Sequence, residues 1–255
     1  MKMTYRNGGE GPPLVILHGL FGSKDNWWGW ASKLEGFSCW LPDLRNHGDS
    51  PWEESMSFPL MAQDVLEFLD DHKIEKAILM GHSMGGKVAM ETALRWPHRV
   101  ERLIVVDMAP KSYPPRYEAF IRAMLHVSLT TLSSRAAVQE ALEKQLPIDR
   151  MTLLFLLKSL GERPSGEFYW KIHLQALLNN WEPLWNELNT GRECNVPVLF
   201  AYGSKSDFFL MQDRTRCIEL FPQSRFESVE GASHWVHADK PQELKELVQR
   251  FLRKD

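Results

Sequence analysis

The chain has 255 residues, and its 30 Lys and Arg against 33 Asp and Glu give a formal net charge of −3 at pH 7. This balance provides no overall positive field that would attract nucleic acid or an anionic membrane surface. Hydrophobic residues make up 44% of the chain and charged residues 25%, which excludes an intrinsically disordered protein. The length fits one domain with room for an inserted segment.

The first residues of the chain and the spacing of its cysteines indicate in which cellular compartment the protein is found. Residues Met1 to Gly9 contain no apolar signal-peptide core. No apolar run approaches the roughly 18 residues of a membrane span. Cys39, Cys194 and Cys217 form no Cys-x-x-Cys pair, which argues against both a disulfide framework and a zinc knuckle. We therefore predict a cytoplasmic protein that holds no metal and no other cofactor, and the sequence carries no signal for an oligomeric state.

Short apolar runs alternate with helical segments along most of the chain, which is typical of an α/β protein with a parallel sheet and helices on both faces. The predicted strands are Leu14–Leu17, Cys39–Leu41, Ala77–Met80, Leu103–Val106, Val198–Tyr202 and Phe226–Val229. The helices predicted around them are about Asn26–Leu34, Pro59–Asp71, Met84–Trp96, Gln212–Leu220 and Pro241–Leu252. The near-continuous apolar character of the strands indicates a sheet that is buried on both sides.

Residues from about Tyr113 to Asn189 interrupt this alternation. The spacing of their apolar residues predicts helices and no strand. The predicted helices are Arg116–Ser128, Ser133–Gln145, Arg150–Leu160 and Glu167–Asn179. An all-helical block between two strands of a sheet is expected to form a lid over one sheet edge. We predict a core domain of residues 1–110 and 192–255 and an inserted helical lid of residues 111–191.

The strongest motif is Gly-His-Ser-Met-Gly at residues 81–85, directly after a predicted strand and at the start of a predicted helix. This G-x-S-x-G pattern is typical of a nucleophile elbow, a sharp turn that exposes the serine hydroxyl above the sheet edge. Glycine is needed at both ends of the motif, because a Cβ there would collide with the neighbouring strand or helix. We predict Ser83 as the nucleophile.

A serine hydroxyl becomes a good nucleophile only when a base accepts its proton, so a histidine must lie nearby. His234 follows the last predicted strand and is the best candidate, and His237 is a weaker one. The orienting acid has two candidates, because Asp107 and Asp207 each follow a predicted strand at the same edge of the sheet. The apolar run before it favours Asp107, whereas the commoner position of this acid, after the later strand, favours Asp207.

The segment His-Gly-Leu-Phe-Gly at residues 18–22 follows the first predicted strand. Its glycines let backbone N–H groups point toward the oxyanion of a tetrahedral intermediate. We predict the N–H groups of Leu20 and Met84 as the oxyanion hole, with that of Phe21 in reserve. The aromatic residues Phe21, Trp27 and Trp235 are predicted to line an apolar substrate pocket under the lid.

Together these motifs resemble the α/β-hydrolase superfamily, and in most detail its YbfF-type bacterial esterases and their mitochondrial abhydrolase-domain relatives. The resemblance rests on residues 18–27, 43–51, 81–87, 106–110 and 231–238. It implies that the acid is Asp107 rather than Asp207, and that the reaction is hydrolysis of carboxylic esters or thioesters with short to medium acyl chains. The loop at residues 43–51 is interpreted as structural, with Arg45 paired to Asp43.

The sequence therefore predicts a serine hydrolase that acts on a small-molecule ester or thioester, with Ser83, His234 and Asp107 as its catalytic triad. Two alternatives are kept. The same triad serves C–C bond hydrolases and lyases on this fold, since a fold does not fix a function. A non-catalytic ligand receptor is less favoured, because an intact triad would have no role in it.

Overall fold

A computed structural model describes residues 1–147, 149–188 and 191–253 of the protein. The strands within these ranges are Tyr5–Gly8 (β1), Pro13–Leu17 (β2), Ser38–Pro42 (β3), Ala77–His82 (β4), Val100–Val106 (β5), Leu160–Glu162 (β6), Phe168–Trp170 (β7), Val198–Gly203 (β8) and Ser224–Val229 (β9). A central sheet has the order β1-β3-β2-β4-β5-β8-β9; the β1–β3 pair is antiparallel and all other neighbours are parallel. The predicted α/β class is confirmed.

Helices cover both faces of this sheet. The described α-helices are Lys24–Ala31 (α1), Phe58–Asp71 (α2), Met84–Arg95 (α3), Glu118–His126 (α4), Arg135–Gln145 (α5), Arg150–Leu157 (α6), Leu174–Asn179 (α7), Asp213–Leu220 (α8), Val236–Asp239 (α9) and Pro241–Leu252 (α10). Along β2, Val15 and Leu17 enter the apolar cluster that contains α2 and α3, whereas Leu14 and Ile16 enter the cluster on the opposite face with α1 and α10. Both faces of a strand must then be apolar, which explains the continuous apolar runs.

The six predicted strands are confirmed, and one strand of the central sheet was not predicted. This is β1, whose Tyr-Arg-Asn-Gly sequence has no apolar run and whose residues are mostly exposed. It pairs only with β3, at the edge of the sheet. A half-exposed edge strand does not need apolar residues on both faces, so its sequence lacks the signal by which the others were predicted.

The segment between β5 and β8 is mainly helical, as predicted, and contains α4 to α7. The prediction that it has no strand is wrong, because β6 and β7 form an antiparallel hairpin. The predicted helix Glu167–Asn179 is correspondingly wrong in its first half, and only Leu174–Asn179 is helical. Phe168, Tyr169 and Trp170 have aromatic side chains that favour strands, and Gly166 supplies the turn with a φ of +83°. Asn189, where the helical block was predicted to end, lies outside the described residues.

The two ends of this insertion run side by side. The N–H of Leu188 donates to the carbonyl oxygen of Pro110 at 3.0 Å, and the N–H of Tyr113 donates to that of Trp185 at 2.8 Å. The Ser112 hydroxyl accepts from a further backbone N–H on the returning segment. The insertion therefore leaves β5 and returns toward β8 through one hydrogen-bonded pair of segments, which we call the paired ends (residues 110–113 and 185–188).

The loop at residues 43–51 has a structural role, but its predicted ion pair is wrong. The Asp43 carboxylate accepts from the backbone N–H and from Nζ of Lys24, both at 2.6 Å. Arg45 instead forms two hydrogen bonds with Asp64 on α2, at 2.6 and 2.8 Å. Asp43 turns inward under Gly48, where a Cβ would overlap the carboxylate, and so the two predicted partners face different elements.

Candidate active site

Ser83 lies in the sharp turn between β4 and α3, with a φ of +53° and a ψ of −122°. This conformation is strained for a residue with a side chain. The turn needs glycine on both sides, because a Cβ at Gly81 would overlap the carbonyl oxygen of Gly85, and a Cβ at Gly85 would overlap that of Leu17. The turn brings the Ser83 side chain to the wall of two cavities at the carboxyl end of the sheet.

His234 connects Ser83 to Asp107. Its Nε2 lies 3.0 Å from Ser83 Oγ, and its Nδ1 lies 2.7 Å from Asp107 Oδ2. The three side chains follow β4, β5 and β9, whose carboxyl ends meet at one edge of the sheet. The Asp107 carboxylate is fully buried. Because a carboxylate accepts hydrogen bonds and cannot donate them, Nδ1 of His234 is the donor, and Nε2 is free to accept the proton of Ser83.

The Asp107 carboxylate has two further partners. Its Oδ1 accepts the N–H of Gly203 at 2.9 Å, and its Oδ2 is also contacted by the hydroxyl of Ser206. Gly203 ends β8, the strand next to β5, and Ser206 lies in the turn that follows it. The sequence analysis did not single out Ser206, and the only signal for it was the expected pairing of these two strands.

Asp207 lies one residue further along, in a different environment. Its side chain is 68% exposed, and both of its oxygens accept hydrogen bonds from Arg116 at 2.9 Å. These hydrogen bonds hold the pKa of Asp207 below its ordinary value. The structure thus brings Asp107, and not Asp207, into contact with the His234 ring.

The segment at residues 18–22 folds into a tight turn beside Ser83. Burial lowers the pKa of His18 to about 4, so its ring is neutral at pH 7. The N–H of Leu44 donates to Nε2 of His18 at 3.0 Å, which leaves the proton on Nδ1 to donate to the Gly19 carbonyl oxygen at 2.9 Å. The N–H of Gly22 donates to the same oxygen at 3.0 Å. The Gly19 carbonyl and the Leu20 N–H belong to the same planar trans peptide and point in opposite directions. The hydrogen bonds that fix the carbonyl therefore also fix the direction of the Leu20 N–H.

Met84 is the first residue of α3 and follows Ser83 directly. The first N–H groups of a helix have no acceptor within the helix. They also lie at its electropositive end, so they are suited to bind developing negative charge. Leu20 and Met84 both line one of the two cavities at Ser83, so both residues lie beside the predicted nucleophile.

Two cavities meet at Ser83. The first holds His234 in its wall together with Phe21, Trp235 and Phe155. The second is lined mainly by apolar and aromatic residues. Its lining residues are Leu20, Ser83, Met84, Lys87, Met108, Tyr113, Tyr117, Leu184, Trp185 and Phe208.

The predicted pocket residue Trp27 lies elsewhere. It is 1% exposed and belongs to the apolar cluster between α1 and the sheet. Its ring stacks on that of His237, with centroids 4.2 Å apart. Trp27 faces the sheet because it lies on the inner side of α1, whereas Phe21 and Trp235 lie in turns at the sheet edge. The prediction that Trp27 lines the substrate pocket is therefore corrected to a packing role.

The described residues offer no site for a metal ion, since they contain no group of three or more His, Cys, Asp or Glu side chains that could hold one. No described helix combines the length and the hydropathy that crossing a bilayer requires. The cytoplasmic location stays a prediction from the sequence.

Comparison with known proteins agrees with this geometry. The family model described as the alpha/beta hydrolase fold matches residues 12–241. The chain belongs to the α/β-hydrolase family. Among solved structures, this α/β hydrolase superimposes on a marine microorganism esterase with a TM-score of 0.94 and 34% identity, over 98% of this chain and 99% of that one.

Curated relatives of this α/β hydrolase cover nearly its whole length. It is 38% identical over 255 residues to the sn-1-specific diacylglycerol lipase ABHD11 of Danio rerio, an alignment that spans 96% of this chain and 80% of that protein. It is 34% identical over 259 residues to esterase YbfF of Escherichia coli, spanning 98% and 96% of the two chains. The chain is thus a member of the esterase and lipase group of the family, and the resemblance predicted from its motifs is confirmed.

Proposed function

We propose that this protein hydrolyses carboxylic esters or thioesters through a triad of Ser83, His234 and Asp107. The observation that carries the proposal is the continuous hydrogen-bonded chain from Ser83 Oγ through the His234 ring to Asp107 Oδ2, with steps of 3.0 and 2.7 Å. This chain ends at the junction of two largely apolar cavities. Such a serine has the base and the orienting acid that nucleophilic catalysis needs.

In the proposed reaction, Ser83 Oγ attacks the carbonyl carbon of the substrate while Nε2 of His234 accepts its proton. Asp107 holds the ring and stabilises the imidazolium. The N–H groups of Leu20 and Met84 stabilise the oxyanion, each with a contribution of about 3–4 kcal/mol. The tetrahedral intermediate expels the alcohol or thiol, which takes the proton from His234. Water then attacks the acyl-enzyme with His234 as the base, and the acid is released as Ser83 regains its proton.

In this proposal, each of the two cavities holds the part of the substrate on one side of the bond that breaks. His234 must reach the leaving group to protonate it, and His234 lines the first cavity, so the alcohol or thiol side belongs there. The acyl side then occupies the second cavity, next to Leu20 and Met84. The apolar lining of that cavity, which includes Leu184 and Trp185 of the insertion, supports an acyl group there, and we propose short to medium acyl chains. In this arrangement the insertion, through Tyr117 and Trp185, acts as a lid over both sides.

The names of the relatives support ester hydrolysis over C–C bond hydrolysis, because the curated proteins above are named as a lipase and an esterase. The deciding experiment measures initial rates on p-nitrophenyl esters from acetate to palmitate, for the wild type and Ser83→Ala side by side. We expect a maximum at the shorter chains and, in Ser83→Ala, a fall of several orders of magnitude, to the residual rate that binding and the oxyanion hole alone provide. A fluorophosphonate probe should label the wild type alone. Equal rates in both proteins, with no labelling, would refute the proposal.

A further inference from the structure

His82 is a buried polar side chain at the carboxyl end of β4, and the proposed reaction does not use it. Side chains alternate between the two faces of a strand, so His82 lies on the same face as Ile78 and Met80. Both of these enter the apolar cluster that contains α1 and α10, and His82 is 2% exposed. A polar side chain that stands in place of an apolar one at such a position is expected to have a hydrogen-bond partner there.

The partner of His82 is the backbone of the proposed base. Nε2 of His82 lies 2.8 Å from the carbonyl oxygen of His234. A carbonyl oxygen can only accept a hydrogen bond, so Nε2 carries a proton and is the donor whether the ring is neutral or charged. The two residues are 152 positions apart in the chain. This hydrogen bond therefore joins the end of β4 to the loop that follows β9.

The other edge of the His82 ring lies against the turn that follows β2. A Cβ at Gly19 would come within 3.1 Å of Nδ1 of His82. The rings of Trp27 and His237 lie beside it, with centroids 6.0 and 5.1 Å from that of His82. Burial, and then the neighbouring rings of His234 and His237, hold the pKa of His82 well below its ordinary value. The ring is thus neutral at pH 7, and packing on several sides directs its N–H at the His234 carbonyl.

The main chain of His234 has little else to hold it. Within the described parts of the chain, no hydrogen bond other than this one involves the backbone of His234. The neighbouring Ser233 is held separately, since its N–H and its hydroxyl both donate to the Asp239 carboxylate, at 2.8 and 2.5 Å. The His234 ring must meet Ser83 and Asp107 at the same time, at 3.0 and 2.7 Å. A shift of its backbone would lengthen at least one of these two contacts.

We propose that His82 is a positioning residue for the base: its Nε2–H holds the carbonyl of His234, so that the His234 ring stays between Ser83 and Asp107. In this role His82 transfers no proton and fixes only the backbone from which the base extends. The histidine of the nucleophile motif then serves the base rather than the serine beside it. This inference rests on the proposed esterase function and adds a residue to its machinery.

The test compares three substitutions that differ in whether a donor reaches the His234 carbonyl. Gln extends an amide N–H about as far as Nε2 of histidine, Asn has the same amide on a shorter side chain, and Leu has no donor. On p-nitrophenyl butyrate, we expect kcat to fall by about 10²-fold in His82→Leu and His82→Asn, because a misplacement of ~1 Å costs about that much. His82→Gln should lose less than about fivefold, and KM should stay within about threefold of the wild type in all three, since substrate binding is not affected.

The matched control is His237→Leu, which removes a second ring from the same cluster. Nδ1 of His237 has no hydrogen-bond partner among the described residues, and its ring stacks on Trp27. This variant should therefore keep kcat within about threefold of the wild type. Equal losses of kcat in His82→Leu and His237→Leu would show that packing of the cluster, and not the hydrogen bond to His234, sets the rate, and would overturn the proposal.

A second measurement needs no variant, in case the His82 variants do not fold. Nitrogen NMR of the histidine rings in the wild type shows which ring nitrogen carries the proton, and His82 should be protonated at Nε2. A His82 ring protonated only at Nδ1, or full kcat in a folded His82→Leu, would overturn the positioning proposal and leave the esterase proposal intact. If the wild type hydrolyses no p-nitrophenyl ester and the fluorophosphonate does not label Ser83, the esterase proposal itself fails.

Discussion

Two aspartates that lie at the same edge of the sheet differ completely in their surroundings. Asp107 is fully buried and accepts hydrogen bonds from His234 and Gly203. Asp207 is largely exposed and paired with Arg116 of the insertion. A carboxylate can orient and stabilise a histidine only from within hydrogen-bond distance. The proposed reaction therefore assigns different consequences to the loss of each carboxylate.

Asp107→Asn should lower kcat by about 10⁴-fold, because the amide favours the wrong tautomer of His234. Asp207→Asn should change kcat by less than about threefold, since it removes only an exposed ion pair worth ~0–1 kcal/mol. Both are measured as steady-state rates on p-nitrophenyl butyrate, with circular dichroism as the check on folding. A large loss in Asp207→Asn, with Asp107→Asn active, would reverse the assignment of the acid.

The limits of the sequence are clear at these two residues. The nucleophile motif could be located because it directly follows a predicted strand, and the candidate histidine because it comes after the last predicted strand. Spacing could not separate the aspartates, since both follow neighbouring parallel strands; the apolar run before it and the family resemblance favoured Asp107. The two side chains have different partners, because Arg116 pairs with Asp207. Arg116 belongs to the insertion, where the resemblance to the family is poor.

Among the elements, the loop at residues 43–51 shows how one carboxylate fixes a turn and a helix together. Asp43 accepts from the backbone N–H of Lys24 at the start of α1 and from that of Asp49 in its own loop. Gly48 has a φ of +60° and lies directly against this carboxylate. Because α1 begins just after the turn at residues 18–22, the same contacts support the predicted oxyanion hole.

Gly48→Ala should destabilise the protein by about 2–4 kcal/mol, since its Cβ would displace the Asp43 carboxylate from these buried hydrogen bonds. Gly166→Ala is the matched control, because Gly166 also has a positive φ, of +83°, but has no atom near its missing Cβ. That variant should lose only about 1 kcal/mol from backbone strain. Urea denaturation measures both, and equal losses would show that Asp43 does not fix this loop.

The pairing predicted for this loop failed for a physical reason. Asp43 and Arg45 are close in the sequence and opposite in charge, so a local ion pair was the simplest expectation. The fold offers each of them a better buried partner, Lys24 for Asp43 and Asp64 for Arg45. The hairpin of β6 and β7 was also missed for a physical reason. Each of its strands has three residues, which are too few to show the alternation of apolar and polar side chains by which a strand is predicted.

At the scale of the whole molecule, several histidines are buried as neutral rings. Burial lowers the pKa of His18 to about 4, the pKa values of His47 and His237 to about 3, and the pKa of His82 to well below its ordinary value. The ordinary value, which applies in the unfolded chain, is 6.5. Below pH 6.5 the unfolded chain therefore binds protons that the folded protein does not bind. Stability must rise with pH in this range, and it is lost on acidification.

The free energy of unfolding should fall by roughly 6 kcal/mol between pH ~6.5 and pH ~5, about 1.5 kcal/mol for each of these four histidines. Urea denaturation at the two pH values measures the change. His237→Leu should reduce the fall by about a quarter, because it removes one of the four groups. The control is His126→Gln, which changes an exposed histidine on α4 and should leave the fall as it is. A fall of the same size in His237→Leu would contradict this account.

The paired ends bring the two ends of the insertion together beside the central sheet. β5 and β8 are direct neighbours, and the chain between them leaves and returns at backbones within 3.0 Å of each other, at Pro110 and Leu188. The insertion is also bonded to the core away from these points, since the N–H of His173 donates to the carbonyl oxygen of Asn46 at 3.0 Å and Nδ2 of Asn180 donates to that of Glu54 at 2.7 Å. A different insertion would therefore have to replace these contacts, as well as the paired ends, to present a new range of substrates to the same Ser83.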